Sequence, residues 1–162
     1  MAADSRTRPA ILLVDEHRDV REAVAQWLEM NGLTVCAQAS GREEALKLVD
    51  VRQPELALVD LSVDRNEGLA LVGDLSKRGV PVVVCSTHEE PEYVRRSFAA
   101  GARAYVAKRD AGQGLVRTVR DVMLGWVLIS PHAADDGPSA LPERITNARG
   151  DCQTNAAAAV QP

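Results

Sequence analysis

The chain lacks three things, and each absence removes a class of function. It has no apolar run near the ~18 residues needed to cross a bilayer, and its opening residues, MAADSRTRPA, are too polar for an export signal. Neither a membrane span nor secretion is expected. Its cysteines form no pairs: Cys36, Cys85 and Cys152 are odd in number, widely spaced and without a CxxC pair. This argues against a disulfide framework or a zinc site and fits a reducing cytoplasm. Positive charge is not in excess. With 19 basic against 23 acidic residues and a net charge of −4, the chain has no broad attraction to nucleic acid or to an anionic membrane. Direct DNA binding and membrane association are not expected.

What is present is a globular composition. The 162 residues are 46% hydrophobic and 26% charged, enough to bury a core and enough for one domain with a modest appendage. Five short apolar runs, 10–14, 33–37, 55–59, 80–85 and 103–107, begin 22 to 25 residues apart. They are rich in Val, Leu and Ile without polar alternation, which predicts strands buried on both faces of a parallel sheet.

Each gap has room for a helix and carries a helix signal. Val20, Val24, Trp27 and Leu28 share one face, with Gly32 as a stop. Ser40-Gly41-Arg42-Glu43 reads as a capping box opening a helix with Ala45, Leu46 and Val49. Leu69, Val72 and Leu75 line a third helix stopped by Gly79, and Pro91, Val94 and Phe98 mark a fourth. A second capping box, Asp110-Ala111-Gly112-Gln113, precedes Leu115, Val119, Val122 and Met123. The expected architecture is α/β: a (βα)5 doubly wound parallel sheet of flavodoxin-like type. The strand order 2-1-3-4-5 belongs to that fold type and does not follow from spacing.

Sites in such sheets form at the carboxyl ends of the strands. Standing there are Asp15-Glu16 after the first run, Asp60 after the third, Ser86-Thr87 after the fourth and Lys108 after the fifth. Clustered carboxylates repel unless a cation joins them, and Mg2+ is a hard ion suited to carboxylate and phosphate oxygens. Lys108 can neutralise a phosphoryl oxygen, Ser86 can donate to another, and Asp60 is left as an oxygen nucleophile.

Four segments resemble the response-regulator receiver domain of two-component signalling, CheY-like and closest in kind to the NarL/FixJ branch. They are Ile11-Leu-Leu-Val-Asp15-Glu16-His17, Leu56-Ala-Leu-Val-Asp60-Leu-Ser62, Val82-Val-Val-Cys-Ser86-Thr-His-Glu-Glu, and Gly101-Ala-Arg-Ala-Tyr105-Val-Ala-Lys108. Gly68 also falls where that family places a loop glycine. The resemblance covers residues 8–131, taken as the receiver domain. It implies that Asp60 accepts a phosphoryl group from a histidine kinase or phosphotransfer protein. It further implies that Asp15, Glu16, Asp60 and the backbone carbonyl of Ser62 bind Mg2+, that Lys108 and Ser86 contact the phosphoryl group, and that Tyr105 is a switch aromatic. Phosphorylation would then shift the receiver to a form that engages a downstream protein, or a second copy of the chain as a homodimer. No enzymatic turnover is expected beyond the receiver's own phosphotransfer and autodephosphorylation.

Departures from the family pattern suggest an alternative, a degenerate receiver working as a phosphorylation-independent interaction module. Glu16 stands where Asp is usual, Val63-Asp64 replaces Met-Pro, and Ser86-Thr87 replaces the commoner Thr-Ala. A haloacid-dehalogenase-type phosphatase would need a second acid two residues after Asp60, where Ser62 stands. Taken singly, His17 and His88 read as solvated, and Cys85 and Trp27 as core. Residues 132–162 carry four acids against two arginines and no aromatic, and are expected to be a disordered tail. They are fewer than the ~60 residues a helix-turn-helix would need, although Leu141-Pro-Glu-Arg144 faintly matches the start of one. The chain could then be a remnant of a NarL/FixJ-type transcriptional regulator.

Overall fold

The computed structural model describes residues 8–63, 67–134, 145–146 and 152–153. Five strands alternate with five helices as expected: β1 (Ala10–Val14), α1 (Arg18–Met30), β2 (Thr34–Ala39), α2 (Arg42–Arg52), β3 (Leu56–Val59), α3 (Glu67–Lys77), β4 (Val82–Ser86), α4 (Pro91–Ala100), β5 (Ala104–Ala107) and α5 (Ala111–Met123). The sheet order is β2-β1-β3-β4-β5-β6, all pairs parallel. The sixth strand, β6 (Leu128–Ile129), was not anticipated. Two residues are too few to read as a strand, and they form one because Leu128 and Ser130 donate to the carbonyls of Arg103 and Tyr105 on the open edge of β5.

The sheet is buried on both faces because successive side chains alternate between two apolar layers. Leu12, Val14, Ala57, Val59, Val84 and Tyr105 face one layer with Leu71, Leu75 and Val94 of α3 and α4. Ile11, Leu13, Leu58, Val83, Cys85 and Val106 face the other with Leu28, Leu115 and Val119 of α1 and α5. The exception is β2. It was expected to be buried on both faces, but it is the sheet's edge, pairs only with β1, and is largely half-buried or exposed. Spacing gives no strand order, so the edge could not be read from it.

Helix ends follow local chemistry. Gly32 and Gly79 adopt left-handed φ values of 80° and 76° where α1 and α3 stop, as a glycine terminator should. The two capping boxes differ from expectation. Helix α2 is capped at Gly41, so Glu44 occupies the third helical position; the Ser40 amide and hydroxyl donate to Glu44 at 2.8 and 2.9 Å, and Glu43 pairs with Lys47 instead. At α5 the Asp110 carboxylate makes no cap bond and turns to His132. The expected tail lies mostly outside the described residues, as do Asp64 and Leu141 to Arg144. Within that stretch, Ile145–Thr146 and Cys152–Gln153 pair as a short antiparallel ladder.

Candidate functional site

Asp15 follows β1 and Asp60 follows β3, adjacent central strands at which the strand order reverses. The backbone fixes both: the Asp60 amide donates to Val14 at 2.9 Å and the Asp15 amide to Ala39 at 3.2 Å. Each residue is only 4% exposed. Carboxylates so buried require partners. Lys108, which opens the short turn after β5, donates to Asp60 Oδ2 at 2.6 Å and to Asp15 Oδ2 at 3.2 Å. The Ser62 amide donates to Asp60 Oδ1 at 3.1 Å and its hydroxyl to Oδ2 at 2.8 Å, and the His17 amide donates to Asp15 Oδ1 at 2.9 Å. Burial disfavours the Lys108 ammonium, but the bonds and charge of Asp60, then Asp15, outweigh it and hold its pKa above the ordinary 10.5.

Two carboxylates and one ammonium leave a surplus of one negative charge. Oxygens of Asp15 and Asp60 and a nitrogen of His17 lie within 4.8 Å of one another. Hard oxygen donors with surplus negative charge suit Mg2+, so these residues fit that ion. Glu16 does not join them. The His17–Asp15 bond closes a turn with Glu16 at its apex, and its side chain is exposed. His17 is 63% exposed, but its ring Nδ1 lies 3.4 Å from Asp15 Oδ1, so it is not simply the solvated histidine expected.

Ser86 is fully buried at the end of β4, where its Oγ accepts from the His88 amide at 3.2 Å. Tyr105 is also fully buried, and its hydroxyl donates to the His88 carbonyl at 2.5 Å. Both expected switch residues therefore meet at one backbone unit. Burial pushes the Tyr105 phenol up, the Ser86 hydroxyl opposing less strongly. His88 itself is not simply solvated: its ring stacks on Tyr93 with centroids 4.2 Å apart and an interplanar angle of 16°. Cys85 is a core residue as expected, its thiol pushed up to about 12 by burial. Trp27 packs on the α1/α5 layer, while Val20 at the same helical face is 38% exposed.

Gly68 has a steric reason to be glycine. A Cβ there would lie 2.6 Å from Leu61 Cα and 2.6 Å from the Leu61 carbonyl oxygen, so α3 could not sit this close to the segment holding Ser62.

Sequence reasoning missed two supporting groups. Arg21 in α1 donates through Nη1 to the Asp15 carbonyl at 2.6 Å, a contact six residues apart that has no motif. The other is the segment after α5, which grips the strand and turn carrying Tyr105 and Lys108. Ser130 Oγ accepts from the Ala107 amide at 2.9 Å, and the Asp110 carboxylate accepts from the His132 amide at 3.1 Å and pairs with its ring. Burial raises the Asp110 pKa, but its bonds to Ser130 and His132 outweigh that and hold it below the ordinary 3.8.

The sheet that carries this cluster can be compared with known proteins. Residues 11–120 match the family model described as the response regulator receiver domain. The chain belongs to the response-regulator receiver family. Receiver relatives include the transcriptional regulatory protein UhpA of Salmonella typhimurium, 32% identical over 125 residues, which are 76% of this chain and 63% of the relative. The response regulator GacA of Pseudomonas aeruginosa is 33% identical over 127 residues, 76% of this chain and 59% of its own length. The chain thus spans about three-fifths of these curated relatives. A solved LuxR-family two-component response regulator from Aurantimonas sp. SI85-9A1 matches with a TM-score of 0.76 at 26% identity, over 80% of this chain and 95% of that one. The signal receiver domain of NarL from Mycobacterium tuberculosis, at 24% identity and TM-score 0.68 over 73% of this chain and 98% of its own, shares the fold. Among the described residues, no helix is long and apolar enough to cross a membrane.

Proposed function

We propose that Asp60 accepts a phosphoryl group from a histidine kinase or phosphotransfer protein, and that the phosphorylated receiver engages a downstream protein in the cytoplasm. The observation that carries this reading is the Asp60 carboxylate itself, buried beside Asp15 and held by Lys108 and Ser62 at the strand-order reversal of a receiver-family sheet. An Asp60 oxygen attacks phosphorus, the bond from phosphorus to the donor breaks, and the charge spreads over three phosphoryl oxygens. Lys108, already within reach of Asp60, pairs with one of them. The Ser86 hydroxyl, whose oxygen accepts from the His88 amide, donates its proton to another, while Tyr105 is tied to the carbonyl of the same residue. Mg2+, held by Asp15 and Asp60, would neutralise phosphoryl charge. Beyond this transfer and the hydrolysis that reverses it, no turnover is proposed.

Incubating the chain with Mg2+ and acetyl phosphate and recording intact mass tests the reading. One phosphoryl group should add to the native chain and none to Asp60→Asn. Absence of an adduct with acetyl phosphate and with every kinase tried would defeat it.

One observation favours a second reading, a phosphorylation-independent interaction module. Glu16, at the second acidic position, is exposed and stands outside the group formed by Asp15, His17 and Asp60. If Mg2+ and acetyl phosphate leave both the mass and the chemical shifts of Tyr105 unchanged, the module reading replaces the first.

A further inference from the structure

A cavity of about 310 Å³ opens between α1 and α5 and reaches the buried carboxylates. Its walls include Leu13, Val24, Trp27, Leu58 and Leu115, and its polar end is Asp15, Asp60 and Lys108. Small-molecule sites begin at about 300 Å³ and combine an apolar body with a few convergent polar groups. Gly112, in the first turn of α5, lines the same cavity. A glycine inside a helix costs roughly 1 kcal/mol relative to alanine. The fold shows no need for it: Gly112 has no left-handed φ, and a Cβ there would meet no atom within 4 Å. A side chain at this position would instead narrow the cavity.

We propose that the cavity binds a small arylalkylammonium, its ring against Trp27 and its cationic head on Asp15 and Asp60. The charge balance selects the head. Among the groups that line the cavity, two carboxylates and Lys108 leave one negative charge over, the Arg21 guanidinium being bound to the Asp15 carbonyl outside that lining, so an anion is repelled and a neutral molecule leaves the surplus uncompensated. Acceptor capacity remains as well: among the described residues Asp15 accepts from the His17 amide and Lys108, with the His17 ring 3.4 Å from Oδ1, whereas a carboxylate offers about four lone-pair positions. The indole gives an aromatic body a stacking partner. The head takes the place where a divalent cation would bind, so the two exclude one another, and by linkage each weakens the other equally. That exclusion, unlike the binding itself, rests on the Mg2+ reading above.

Calorimetric titration of the full chain without Mg2+, using 2-phenylethylammonium, 3-phenylpropionate and 2-phenylethanol, tests the assignment. The ammonium alone should bind saturably at one site, and Mg2+ should weaken it about tenfold or more. Gly112→Leu, which narrows the cavity, should weaken binding about tenfold or more. Gly114→Ala gives a similar gain in helix propensity at a position that does not line the cavity, and should leave binding intact. In the unmodified chain, the ammonium should shift the Trp27 indole N–H resonance and leave that of Trp126 in place. Equal binding of all three probes, no saturation at millimolar concentration, unaltered binding in Gly112→Leu, or an unmoved Trp27 signal would each overturn the proposal. If Mg2+ alone binds and the ammonium does not, the cavity assignment fails and the metal reading stands. If the ammonium binds and Mg2+ does not, the metal reading fails instead. If both bind without competing, the head does not lie on the carboxylates and the proposal is overturned.

Discussion

Replacing Lys108 by methionine keeps most of the aliphatic stem and deletes the one positive charge that Asp15 and Asp60 share. Their facing oxygens lie within 4.8 Å, a separation at which two unit charges repel by about 3.5 kcal/mol at an effective dielectric constant near 20. Removing one partner from a fully buried pair costs about 3–5 kcal/mol, while an exposed pair contributes at most about 1 kcal/mol. Here the carboxylates are 6% and 3% exposed but the lysine is 27% exposed. The case lies between those limits, so we expect Lys108→Met to lose about 2 kcal/mol in urea unfolding at pH 7 without divalent ions. The surplus charge at the site doubles, so Mg2+ should bind the variant about tenfold more tightly, an effect of only 1.4 kcal/mol. Phosphoryl uptake should nonetheless fall by about 10²-fold, because the donor aimed at the phosphoryl oxygens is gone. Tighter metal and slower transfer is the signature of a lysine that acts on the phosphoryl group. A variant as stable as its parent, or one that binds Mg2+ more weakly, would refute the electrostatic argument.

Three further outcomes follow from the packing. Gly68→Ala should destabilise the chain by about 2 kcal/mol in urea unfolding, because its Cβ meets Leu61 backbone that has no flexible end to move; unchanged stability would mean that α3 is not held against this segment. Cys85 has its thiol raised from 9.0 to about 12. The unfolded chain therefore ionises first, and stability should fall as pH rises from about 9 toward 12; Cys85→Ala should flatten that fall in urea melts at pH 8 and 10.5. Asp110→Ala should cost about 1–2 kcal/mol at pH 7 by breaking the contacts to Ser130 and His132. Because the folded Asp110 pKa is depressed, this contribution is present above the ordinary 3.8 and is lost as pH falls through the folded value. Thermal melts of the two proteins should therefore converge at low pH.

The parts of this architecture legible in the sequence are those that depend on period and strand ends. Runs such as Leu56–Val59 and Val82–Ser86 declare buried strands, and a polar residue just beyond one must stand at the sheet edge. That logic located Asp15, Asp60 and Lys108. Period alone does not reveal which strand is the edge; the order 2-1-3-4-5 of the fold type places β2 there, and Thr34 and Gln38 make β2 more polar than the wholly apolar β3. Period could not find β6, whose two residues are strand-like only against β5. Nor could it connect Ser86 with Tyr105, because they meet through the His88 backbone, which carries no side-chain signature. Glu16 occupies the second acidic position in sequence, yet the turn closed by the His17 amide carries it into solvent.

The central claim is that the oxygen of one particular carboxylate takes up the phosphoryl group. Treating the acetyl phosphate-labelled chain with borohydride reduces an aspartyl phosphate to homoserine, and peptide mass mapping then locates the change. Conversion at Asp60 alone, dependent on Mg2+, is the predicted result. Conversion at Asp15 or another acid, or none at Asp60 in a chain that has gained phosphoryl mass, would contradict it.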